Sequence, residues 1–172
     1  MAYEDQYIRL RKDRVINPGG KEQHYSVMQM GDAVGIIAQD TDGGIFLLQE
    51  YRYPIQKVVW QLPAGRQEKN LSLLENAQKE LKEETGITAK KWTALGSFYL
   101  HASVEETQGH IFLAQELDTT RFGHEQQEDN ELILDIKKIP LEKIKQMIRK
   151  NEIQCGWTLA GLNLFFQHGE KQ

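Results

Sequence analysis

Residues 65–87 read GRQEKNLSLLENAQKELKEETGI, and three glutamates within them, Glu80, Glu83 and Glu84, fall on one side of a short helix. At 100° per residue the three occupy an arc of about 100°, and Leu74, Ala77 and Leu81 form an adjoining apolar stripe that would face a core. The helix ends are marked as well. Ser72 with Glu75 three residues on makes a capping box, and Gly86 supplies the left-handed residue that commonly stops a helix, so the pattern predicts a helix over residues 73–85. Like charges at these spacings repel by about 0.2–0.5 kcal/mol per pair unless something positive sits between them. Two readings follow: a solvated Glu/Lys face, as most charge runs are, or a site for magnesium, a hard cation that takes carboxylate oxygens and shares its shell with substrate phosphates.

Outward from this helix the chain alternates strands with helices. Residues 7–16 and 25–30 are candidate strands joined by Asn17-Pro18-Gly19-Gly20. Residues 33–39 and 45–51 are apolar runs separated by Asp42-Gly43-Gly44, which reads as a hairpin. Residues 58–62 continue the sheet, and 92–100, 110–115 and 132–136 are further strands. Residues 141–149 and 158–167 are helical in pattern, and the acidic, Gln-rich stretch 123–130 reads as a flexible loop. Helices flanking a mixed sheet give an α/β/α sandwich.

Composition bounds the function. At 172 residues and 40% hydrophobic content the chain suits one domain over residues 1–172. Lys and Arg total 21 against 25 Asp and Glu, a net charge of −4 without a dominant basic stretch, which argues against nucleic-acid binding. Cys155 is the single cysteine, so no internal disulfide forms. The N-terminus does not read as a signal peptide, and no apolar run approaches the roughly 18 residues of a membrane span. A cytoplasmic protein without membrane partners is the expectation.

The stretch from Gly65 resembles a Nudix box, G-x5-E-x7-R-E-U-x-E-E-x-G-U with U a bulky aliphatic residue, at Gly65, Glu80, Leu81, Glu83, Glu84, Gly86 and Ile87. Two positions depart from it: Leu71 stands where the pattern has Glu, and Lys79 where it has Arg. In the family these positions mainly support loop and helix geometry, so retuned catalysis is expected. LLQEYRYPIQKVVWQLPAG upstream, with HIFLAQEL and IPLEKIKQMIRKNEIQCGWTLAGLNLF downstream, is similar to the ADP-ribose pyrophosphatases and related nucleoside-diphosphate-sugar hydrolases of that family.

That resemblance implies a Nudix-type α/β/α sandwich with an N-terminal antiparallel strand region, and a magnesium-dependent pyrophosphohydrolase, manganese being an alternative metal. It implies Glu80, Glu83 and Glu84 as metal ligands, joined by the backbone carbonyl of Ala64, with Glu83 and Glu84 also in the catalytic set. In the subgroup a Glu on the loop between the two strands after the box activates water. Without gaps that position falls on Thr107, whose hydroxyl cannot act as a base near neutrality. Glu106 is the chosen base, with Glu105 and Glu83 as the alternatives. His101 and His110 border the loop and read as structural. Arg52 suits bidentate phosphate binding, or else pairs with Glu50. The subgroup dimerises through N-terminal strands, which implies a homodimer using residues up to about 40. ADP-ribose or a related nucleotide sugar is the implied substrate; a GDP-mannose or other sugar-nucleotide hydrolase, and a catalytically impaired nucleotide-sugar-binding module, are the alternatives.

Overall fold

The computed structural model describes residues 2–123 and 132–169. Strands β1 (Tyr3–Glu4), β2 (Arg9–Ile16) and β3 (Glu22–Gln29) form an antiparallel N-terminal sheet. The β2–β3 turn is built as its residues dictate. Asn17 Oδ1 accepts from the amides of Gly19 and Lys21, and Gly20 takes φ +79°, a conformation that glycine adopts without steric cost.

Seven strands follow: β4 (Ala33–Ala38), β5 (Ile45–Arg52), β6 (Lys57–Gln61), β7 (Ala64–Arg66), β8 (Thr88–Tyr99), β9 (Gln108–Asp118) and β10 (Ile133–Ile139). They make two sheets, ordered β10-β5-β6 and β7-β4-β9-β8, the second mixed because β4 and β9 run parallel. Helix α1 (Leu73–Thr85) lies between β7 and β8, while α2 (Leu141–Arg149) and α3 (Gly156–Gly169) close the described chain. The stretch 124–130 expected to be a loop lies outside the described residues.

The expected hairpin at Asp42-Gly43-Gly44 is corrected. The turn forms, with Gly43 at φ +83°, but β4 and β5 enter different sheets and share an isolated backbone bridge, Gln39–Ile45, in place of a hairpin ladder. Turn residues set local direction, whereas pairing is chosen by side chains on both faces of each strand. Strand β4 is buried on both faces, as its unbroken apolar sequence requires. Val34, Ile36 and Ala38 meet Ala77 and Leu81 of α1, while Ile37 joins Leu47, Ile111, Leu162 and Phe165 in a second cluster on the α2–α3 side. Helices therefore flank the mixed sheet, the α/β/α sandwich expected. Gly161 of α3 permits the close approach: a Cβ there would stand 2.7 Å from Leu62 Cδ1.

Helix α1 has the predicted bounds and capping box, with Gly86 at φ +73°. Ala77 and Leu81 of the expected apolar stripe are buried, but its first member is Leu73 in place of Leu74. Leu73 packs on the core with Ala77 and Leu81, and Leu74 is exposed. No helix among the described residues is long and apolar enough to cross a membrane.

Candidate functional site

The site grows from the turn between β6 and β7. Leu62 N–H donates to Thr158 Oγ1 of α3 (3.1 Å), and Pro63 C=O accepts from Ile36 of β4 (2.8 Å). Ala64 N–H donates to Glu84 Oε2 at 2.9 Å. Glu84 is 3% exposed, so this contact is a buried, charge-assisted tie between α1 and the turn. One turn of helix earlier, Glu80 lies directly over Gly65. A Cβ on that glycine would stand 2.1 Å from the Glu80 carboxyl carbon, so the position admits no larger residue without displacing the carboxylate.

The residues 67–72 that lead from β7 to α1 are held by Asn76. Its side-chain amide donates to Arg66 C=O, and its carbonyl accepts from Glu68 N–H, each at 3.0 Å. Asn76 is fully buried, four residues before Glu80, and no motif pointed to it. The signal was present nonetheless, since asparagine is unfavourable inside a helix unless its amide is used.

Lys79 carries the second structural role. Its ammonium lies 2.5 Å from Glu83 Oε2 and 3.0 Å from Glu68 Oε1. Burial alone would lower its pKa, but the hydrogen bonds to Glu83 and Glu68, with the charges of Glu83 and Glu80, outweigh it and hold Lys79 above the ordinary lysine value. Lys79 is thus protonated throughout the working range. Glu68, three residues before Leu71, supplies a carboxylate to the loop where Leu71 brings none.

The structure therefore gathers Ala64, Gly65, Glu80 and Glu84, and turns Glu83 onto Lys79. Among the described residues no three His, Cys, Asp or Glu side chains already enclose one point. The donor set nonetheless fits a hard divalent cation: carboxylate oxygens on consecutive turns of one helix, over a glycine that leaves room for one of them.

Glu106 and Arg52 stand apart from these carboxylates in their contacts. Glu106 is 55% exposed at its side chain, accepts from Gln29 Nε2 and lies 3.7 Å from Arg11 Nη2, both on the N-terminal sheet. Glu105 is buried and sits 3.1 Å from His101 Nδ1. Thr107 Oγ1 and His110 Nε2 are buried without a hydrogen-bond partner among the described residues, Asp32 standing 3.6 Å from the latter. Arg52 Nη1 pairs with Glu50 Oε1 at 2.9 Å and its Nε donates to Gln61 Oε1 at 3.1 Å. Gln61 in turn donates to Glu50 Oε2 at 2.5 Å. Burial pushes the Glu50 carboxyl up, and Arg52 and Gln61 offset only part of that shift.

A cavity of about 460 Å³ opens elsewhere, between β10 and α2, lined by Trp60, Ile136, Lys137, Pro140, Lys143 and Met147. None of the predicted site residues lines it.

A helix-borne set of glutamates clasping a glycine turn at the edge of a mixed, helix-flanked sheet defines a Nudix-type hydrolase fold. Residues 30–154 match the NUDIX domain model, and the chain belongs to the Nudix family. It is similar to the ADP-ribose pyrophosphatase of Bacillus subtilis (29% identity over 88% of this chain and 80% of the relative). It is also similar to that of Mycobacterium tuberculosis (27%, over 89% and 73%). The methanol dehydrogenase activator of Bacillus methanolicus matches at 26% over 93% of this chain and 85% of its own. A solved structure titled as an ADP compounds hydrolase superposes with a TM-score of 0.83, covering 99% of this chain and 91% of that one, at 21% identity, which speaks to the fold alone.

Three outcomes follow from these contacts. Asn76→Ala leaves Arg66 C=O and Glu68 N–H unmet and should cost about 2 kcal/mol in denaturant unfolding. In Gly65→Ala the new Cβ meets the far end of a flexible side chain, so the unfolding midpoint should hold nearly constant while activity falls by about tenfold or more. Glu50 has a raised folded-state pKa, so its stabilising contribution is present below the ordinary value of 4.5 and lost as pH rises through the folded value. Glu50→Gln should therefore be more stable than the parent near neutrality and lose that advantage as pH falls towards 4.5, as read by denaturant titration at both pH values.

Proposed function

We propose that this Nudix hydrolase is a magnesium-dependent pyrophosphohydrolase that splits ADP-ribose, or a related nucleoside diphosphate sugar, into a nucleoside monophosphate and a sugar phosphate. The observation that carries the reading is the clasp of Glu80 and Glu84 over Ala64-Gly65, a set of hard oxygen donors fixed by a buried hydrogen bond and a close glycine contact. Two relatives from different bacteria, each named ADP-ribose pyrophosphatase and each matched over most of its length, support the substrate class.

In this reading Glu80 and Glu84 hold the metal, with Glu83 joining them on release from Lys79 and the Ala64 carbonyl completing the set. When bound, the metal neutralises phosphate oxygens and acidifies water. The chain's own residues do the rest. Glu106 takes a proton from water as its oxygen forms a bond to one phosphorus; the bond from that phosphorus to the bridging oxygen breaks, and this oxygen leaves with the other phosphate. Arg52, oriented by Glu50 and Gln61, presents its guanidinium to the phosphate groups. Lys79 stays charged and limits the mutual repulsion of Glu80 and Glu83 while the site is empty of substrate. Exposed apolar side chains on the N-terminal sheet, Tyr3, Leu10 and Ile16, with Tyr7 in the β1–β2 connection, support a homodimer formed through these strands.

The test is release of AMP from ADP-ribose by purified protein with magnesium, alongside GDP-mannose, UDP-glucose and the Glu84→Gln variant. Gln keeps an acceptor for Ala64 N–H while removing the charge, so the variant should fold and lose at least about 100-fold in turnover. Turnover of GDP-mannose in preference would move the substrate assignment. Ligand binding without turnover, unaffected by Glu84→Gln, would make the protein a nucleotide-sugar sensor.

A further inference from the structure

The loop between β8 and β9 has little of its own to order it. Residues 101–104 are exposed, and within the loop the amides of Val104 and Glu105 both turn back onto His101 C=O at 2.9 Å, while the Glu105 carboxylate lies 3.1 Å from His101 Nδ1. Its remaining anchors come from the N-terminal sheet, more than seventy residues earlier in sequence. Tyr25 hydroxyl donates to Ser103 C=O at 2.7 Å, and Met28 N–H donates to Val104 C=O at 2.7 Å. Met28 also forms a parallel bridge with Glu105, and Gln29 Nε2 donates to the Glu106 carboxylate, with Arg11 3.7 Å away.

The connection between β1 and β2 of the same sheet reaches the other side of the site. Arg66, next to Gly65, donates to Tyr7 C=O at 2.5 Å, and its guanidinium lies 5.5 Å from the centre of the Tyr7 ring. One three-stranded sheet, with its β1–β2 connection, thus contacts both the end of the glycine turn and the loop that bears Glu106. A carboxylate on an exposed loop is a poor base if it samples many positions, because misplacement by about 1 Å can cost 100-fold in rate.

From these contacts we infer that Gln29, with Tyr25, is a positioning residue for hydrolysis: the N-terminal sheet fixes the β8–β9 loop, and Gln29 fixes the Glu106 carboxylate within it. The inference rests on the assignment of Glu106 as base in the pyrophosphohydrolase reading. Neither side chain belongs to the buried core, so their effect on catalysis is separable from folding.

The experiment is a double-mutant cycle of Gln29→Met with Glu106→Gln, scored as kcat and KM for ADP-ribose with magnesium. Gln29→Met should lower kcat about 10- to 100-fold with KM within about twofold and the unfolding midpoint unchanged. Added to Glu106→Gln it should cost nothing further, because its action passes through that carboxylate. An unaltered kcat, or losses that multiply, would overturn the assignment. Amide hydrogen exchange over residues 101–107 gives a readout free of turnover. It should speed up in Tyr25→Phe/Gln29→Met, and unchanged exchange there sinks the positioning role even if the wild-type protein hydrolyses none of the substrates, a result that by itself would fall on the pyrophosphohydrolase reading.

Discussion

The hydrogen bond from Ala64 N–H to the buried Glu84 carboxylate is the contact on which the rest of the site depends. A carboxylate taken out of water loses several kcal/mol of solvation unless hydrogen bonds replace it. The amide that the turn aims at Glu84 offsets part of that loss. The turn, reciprocally, is held on one side by β4, on another by Thr158 of α3, and from above by α1. Moving α1 by even a fraction of a turn would break the Glu84 tie and drive Glu80 off Gly65. Leu73, Ala77 and Leu81 prevent this by fixing the helix against β4.

Electrostatics explains how the carboxylate cluster is held, with Lys79 as its internal counter-charge. Glu80, Glu83 and Glu84 repel one another, yet Lys79 reaches both Glu83 and the loop residue Glu68, so the helix face is partly neutralised from within. Lysine suits this bridging role, since its ammonium is a point charge with three donors and can serve two carboxylates that lie in different directions. The arrangement leaves Glu83 paired with Lys79. Glu84 is tied instead to the turn, and Glu80 lies over Gly65.

Much of this was legible from local chemistry. The α1 boundaries followed from Ser72, Glu75 and Gly86 because caps are decided within a few residues. The convergence of Glu80 and Glu84 on Ala64-Gly65 was foreshadowed by a motif that joins the two segments. Contacts decided at long range were not legible. Asp42-Gly43-Gly44 has hairpin chemistry, yet β4 takes β9, some seventy residues away, as its edge partner, in a sheet whose two faces α1 and α3 cover. Leu73 and not Leu74 faces the core, a choice that helical periodicity alone does not resolve. Asn76 and Gln29 carried no motif, and their partners, Arg66, Glu68 and Glu106, are known only once the loops are folded against them.

Two departures, Leu71 within the Nudix box and Thr107 in the loop after it, differ in kind. Leu71 is compensated within the same loop, where Glu68 provides the carboxylate that Lys79 binds. Thr107 is not compensated at its own position. It is 6% exposed, its hydroxyl has no partner among the described residues, and such an orphan costs about 1–3 kcal/mol. The loop instead carries its acidic groups at the two preceding positions, one turned inward to His101 and one outward to the N-terminal sheet. Only the outward carboxylate, Glu106, keeps the solvent access that a proton acceptor for water requires.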